Sequence, residues 1–155
     1  MYMNNYFKLA IDKAKQTYIN NEGGPFGAVI TDNKGKVISV ASNQVLIKND
    51  PTAHAEVEAI REACKVMKSH SLDGCKLYTT CEPCPMCLSA IIWANIKEVY
   101  YGANRFDAAK IGFRDEYIYD YLKSNDSSIL KLNNIDREDC LEIFNEYENL
   151  NKEIY

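Results

Sequence analysis

Glycine and proline are scarce, at 7 and 4 residues in a chain of 155, which excludes a collagen-like or low-complexity polypeptide. Long hydrophobic runs are lacking as well. A stretch such as Ala90-Ile91-Ile92-Trp93-Ala94 falls far short of the roughly 20 residues that span a bilayer. No basic segment followed by an apolar one opens the chain, so it reads as mature, soluble and intracellular, with the cytoplasm as the expected compartment. Neither sign of charge dominates: 18 basic against 22 acidic residues leave −4. That balance is a poor grip for phosphates, so neither nucleic acid nor membrane is an expected partner. Repeats and linkers are absent too, and residues 1–155 read as a single domain, long enough to bury a real core.

Cysteine, by contrast, is present six times. Three of the six crowd into Cys81–Cys87, a spacing that points to metal or redox chemistry in a reducing compartment. Cys64, Cys75 and Cys140 stand alone and read as small buried hydrophobes.

Apolar residues at Met3, Tyr6, Phe7, Ala10, Ile11, Ala14 and Tyr18 recur at helical spacing, predicting an amphipathic helix over about 3–20. Asn21-Glu22-Gly23-Gly24-Pro25 ends it. Phe26–Thr31 and Lys36–Ala41 form a predicted hairpin around Asp32-Asn33-Lys34-Gly35. Asp50-Pro51-Thr52 supplies cap and first-turn residues for a helix over Ala53–Met67. Strand Lys76–Thr80, a helix from Cys84 to about Asn95, and strand Lys97–Gly102 follow. Farther on, Glu116–Leu122 reads as helix and Ser128–Leu132 as a strand. Leu141, Phe144, Tyr147 and Leu150 make a last helical stripe, expected to pack on the core. Helices alternating with strands imply an α/β sheet covered on both faces.

Two segments carry the chemistry. His54-Ala55-Glu56 and Cys84-Pro85-Met86-Cys87 each open a predicted helix. Cys84 and Cys87 are three apart, so both thiols reach one ion, and a helix N-terminus favours the thiolate. One imidazole and two thiolates suit tetrahedral Zn²⁺ with a fourth position left for water. His54 and Glu56, two residues apart, point to opposite sides of a regular helix. They serve one site only if the metal lies beyond the helix end, which predicts that the N-termini of helices 53–67 and 84–95 converge. Glu56 is then the expected proton carrier beside the ion, and backbone N–H groups near Ala55 and Cys84 are candidate donors to a developing oxyanion. The alternative is a closed structural site with Cys81 as fourth ligand; it leaves Glu56 without a purpose.

The order H-x-E…P-C-x-x-C is the signature of zinc deaminases, and the chain resembles the cytidine deaminase-like superfamily at these positions. Longer stretches narrow the resemblance: Gly23–Ile30, Asn49–Glu56, Tyr78–Cys87, Asp107–Asp115 and a terminal tyrosine are similar to the bacterial guanine deaminases. The likeness runs from about Gly23 to Ile118, and residues 119–140 carry no pattern that places them. It implies a three-layer α/β/α sandwich around a central mixed five-stranded sheet and one Zn²⁺ per subunit held by His54, Cys84 and Cys87. It further implies hydrolysis of guanine to xanthine and ammonia with Glu56 as catalytic residue, in a homodimer whose segment from about 120 to 155 crosses to the partner. On matching positions Asn43 and Ala55 contact the purine. Asp115 and Tyr155, the latter given by the other subunit, read the guanine edge, and Phe26, Phe113 and Trp93 are aromatic candidates against the ring. For Trp93 packing at a helix or dimer contact is the favoured reading; for Asn43 the motif context favours substrate contact over simple turn closure. tRNA adenosine deaminase and cytosine or nucleoside deaminase are the rival activities, and a structural-zinc module is the rival outside enzymes.

Overall fold

The computed structural model describes residues 5–155; Met3, assigned above to the first helix, lies outside the described residues. α1 (Asn5–Ile19) buries Ala10 and Ala14 and stops where Asn21 turns left-handed, at φ 55°. β1 (Gly27–Thr31) and β2 (Val37–Ser42) pair antiparallel. Their turn is held by Asp32, whose Oδ1 accepts from the Lys34 and Lys36 N–H groups at 2.9 Å each, and by Gly35 at φ 82°, a conformation glycine adopts freely.

Short α2 (Val45–Lys48) precedes α3 (Ala55–Met67), β3 (Lys76–Cys81), α4 (Pro85–Trp93), β4 (Glu98–Ala103) and α5 (Arg105–Lys110). The strands order as β2-β1-β3-β4, with β1 antiparallel to β3 and β3 parallel to β4. The sheet is mixed, and α4 makes the crossover its parallel pair requires. Every residue of β1 is buried, so its alternating side chains feed two cores. Ala28 and Ile30 join Leu77, Ile91 and the α3 alanines Ala55, Ala59 and Ala63 on one face, while Val29 joins Tyr78 and Ala10 of α1 on the other. Gly27 lets α1 approach closely, since a Cβ there would lie 2.0 Å from the Ala10 carbonyl oxygen.

The sheet has four strands among the described residues, not the five expected. Residues 127–129 form a turn instead, and 130–132 adopt no regular element. Asp126 accepts from the Ser128 N–H through its side chain at 2.9 Å and from the Ile129 N–H through its carbonyl at 3.0 Å, and these local bonds displace the extended ladder.

The chain divides into two compact units, one reaching to Tyr119 and the other Asp120–Tyr155. α6 (Glu116–Ser124) runs through the division. The second unit also holds α7 (Arg137–Asn149), in which no residue is buried. Phe144, Tyr147 and Leu150 remain exposed, where the sequence reading placed them on a core.

Candidate active site

β3 delivers the chain to Cys84, which caps α4 in an extended conformation with Pro85 in the first turn. His54 caps α3 in the same way. Both helices therefore begin one or two residues later than their sequence patterns suggest. The two cap side chains face each other. Cys84 Sγ lies 3.6 Å and Cys87 Sγ 3.5 Å from His54 Nδ1, and the three donor atoms fall within 4.8 Å of one another. The two helix starts meet here, as the spacing of His54 and Glu56 demands.

Glu56 is buried behind this cluster. Thr79 Oγ1 donates to its Oε1 at 3.0 Å and Cys87 Sγ to its Oε2 at 3.5 Å, and burial pushes the carboxyl above the ordinary range. Hydrogen bonding from the Cys87 thiol, supported by His54, draws Cys84 down to about 4. Cys87 moves up because its proton is shared with Cys84 and its sulfur is buried, and His54 moves up through its bond to Cys84. Cys81 stands apart: its Sγ faces the Asn104 carbonyl at 3.8 Å, and burial pushes its thiol to about 11. It is not a member of the donor group.

A cavity of about 580 Å³ opens beside the cluster, entirely within the first unit. Phe26, Asn43, His54, Glu56, Cys84, Phe113 and Asp115 all line it. Asn43 also closes the turn after β2, since its Oδ1 accepts from the Gly24 and Val45 N–H groups at 3.2 Å each; its amide NH₂ is the end left for a ligand. Phe26 and Phe113 touch each other edge to face, with centroids 4.9 Å apart and planes at 89°. Asp115 has its carboxyl raised by partial burial and by the Cys84 charge. Ala55 is fully buried at the head of α3. Trp93 is 76% exposed on α4 and absent from the lining. Tyr155 ends the second unit, at an exposed position.

The lining includes charged groups that the sequence pattern did not single out: Glu82, Arg105 and Arg114. Glu82 Oε2 accepts from the Arg105 N–H at 3.0 Å, and the Arg105 guanidinium lies 4.3 Å from the Tyr119 ring centroid. Glu82 sits inside the cysteine motif, between Cys81 and Pro83, and that position is the signal that marks it. Nothing in local spacing marks Arg105.

Residues 2–103 match the cytidine and deoxycytidylate deaminase zinc-binding region. The chain belongs to this deaminase family. Its three donors are the set that holds Zn²⁺, so residues and family agree on a zinc centre. Guanine deaminase of Bacillus subtilis (strain 168) is 54% identical over 114 residues, which is 74% of this chain and 72% of that one. The X-ray structure of guanine deaminase from Bacillus subtilis superposes with TM-score 0.92 and 43% identity, covering 100% of this deaminase and 99% of that chain. The tRNA-specific adenosine deaminase of Aquifex aeolicus is 43% identical over 98 residues, 63% of this chain and 64% of its own.

Proposed function

We propose that this deaminase hydrolyses guanine to xanthine and ammonia. One observation carries the reading: similarity to guanine deaminase extends over the whole chain with TM-score 0.92, whereas the tRNA:A34 deaminase structure matches over 64% of it with TM-score 0.62. Zinc, when bound, supplies Lewis acidity that lowers the pKa of water from 15.7 to about 7. His54, Cys84 and Cys87 would hold the ion.

Glu56 handles the protons. Its carboxylate, oriented by Thr79, takes one proton from water and delivers it to the ring nitrogen beside the amino-bearing carbon, then takes the second proton from the hydroxyl so formed on that carbon and delivers it to the departing amine as the carbonyl forms. A carbon–oxygen bond forms, the carbon–nitrogen bond breaks, and ammonia leaves. Asn43 offers its amide NH₂ to the purine, Asp115 accepts from N–H groups on the guanine edge, and the Ala55 N–H supports developing negative charge on oxygen. Phe26 and Phe113 bracket the ring once their edge-to-face contact parts.

Ammonia release from guanine, adenine, cytosine, cytidine and an RNA hairpin tests the reading, with guanine the expected substrate. Turnover of the hairpin with guanine untouched overturns it. The tRNA activity has in its favour the 43% identical Aquifex relative; the −4 balance opposes gripping a polyanion.

The active form in this reading is a cytoplasmic homodimer. α4 and β4 expose Leu88, Ile92, Trp93 and Tyr101, an apolar face of the kind a second subunit covers. The segment from Asp120 onward crosses to that subunit and contributes Tyr155 to its site. Sedimentation of the wild type and of Trp93→Glu tests the assembly: a dimer converted to monomer is expected, and a wild-type monomer overturns it.

A further inference from the structure

α3 buries a second carboxylate that the proposed chemistry does not use. Glu58 is 4% exposed, and its N–H donates to the His54 carbonyl at 2.9 Å. A buried carboxylate is costly unless paired, and Glu58 is paired twice. Lys48 Nζ donates to its Oε2, and Arg61 Nη1 donates to its Oε1 at 2.6 Å. Arg61 also approaches Asp50 at 3.5 Å and Thr52 Oγ1 at 3.2 Å. Asp50 in turn accepts from the Thr52 N–H at 2.8 Å and hydroxyl at 2.7 Å.

All these ties converge on residues 44–53. The ends of this loop meet, with the Gln44 N–H donating to the Ala53 carbonyl at 2.9 Å, and the Glu22 carbonyl accepts from Leu46 and Ile47 at 3.1 and 3.0 Å. Closure of this kind defines a compact Ω-type loop. Hydrophobic packing does little to seat its α2 turn, because Leu46 and Ile47 are 61% and 58% exposed, while Ala53 at the loop's end is fully buried. Even so, Val45, Leu46 and Pro51 line the active cavity, and the loop runs directly into His54.

We propose that Glu58 is a positioning residue: through Lys48 and Arg61 it locks the 44–53 loop as a wall of the substrate cavity and sets substrate affinity. The chemical step stays with Glu56. The proposal rests on the guanine reading for the choice of substrate.

Glu58→Gln keeps the shape and removes the charge. The expected result is a KM for guanine raised about tenfold with kcat within about twofold, zinc content unchanged, and faster amide hydrogen exchange across 44–53 but not in β3. Arg61→Met, at a half-exposed position, is expected to reproduce the exchange pattern should the buried substitution impair folding. A fall in kcat with KM unchanged, or unaltered exchange at 44–53 in both variants, overturns the proposal. A wild-type protein inert toward guanine overturns the substrate reading instead, and the exchange comparison still decides the role of Glu58.

Discussion

The two compact units differ in what they bury. In the first, Val29, Ile30, Leu72 and Leu77 are fully enclosed, and every residue proposed to act on zinc or on protons lies on α3 or α4 or at the cap of one of them. In the second, α7 buries nothing, and Leu132, Ile135 and Phe144 are 83%, 74% and 65% exposed. Apolar side chains left in water contribute little to holding a structure. The contrast separates a unit with an enclosed apolar core from one whose last helix leaves its apolar stripe exposed.

Substitutions can break or sharpen that contrast. Glu56→Gln is expected to lower turnover by about 10²–10⁴-fold while metal analysis still finds zinc, because the three ligands are untouched; near-normal turnover removes Glu56 from the proton path. Leu77→Ala, in the centre of the sheet, is expected to cost about 2–5 kcal/mol in denaturant unfolding. Cys81→Ser is expected to keep both zinc and activity, since its sulfur faces the Asn104 carbonyl; loss of zinc would revive the four-ligand site. Leu132→Ala, in the second unit, is expected to change stability by less than about 0.5 kcal/mol in dilute protein. A cost that grows with protein concentration identifies a second subunit covering this residue, whereas a large cost at every dilution contradicts the exposed placement.

Local patterns made much of the first unit legible. The period of α1, the Asp32–Gly35 turn and the alternation of helix and strand all follow from neighbours within a few residues. The tail was misread for the same reason. Ser128–Leu132 looks like a strand by composition, but the Asp126 turn and the want of a partner strand win. α7 shows an apolar stripe, and a stripe says nothing of what covers it.

The grouping of His54, Cys84 and Cys87 as possible metal donors, with Glu56 buried beside them, was legible in the sequence alone, because ligand chemistry restricts residue type and because two residues apart on a helix can meet one ion only at its end. Tertiary structure decided which strands pair, that Cys81 meets the Asn104 carbonyl rather than joining the three donors, that Arg105 and Glu82 reach the cavity, and that Glu58 is buried between Lys48 and Arg61. Those facts depend on contacts between residues distant in the chain, and such contacts leave no periodic trace in the order of amino acids.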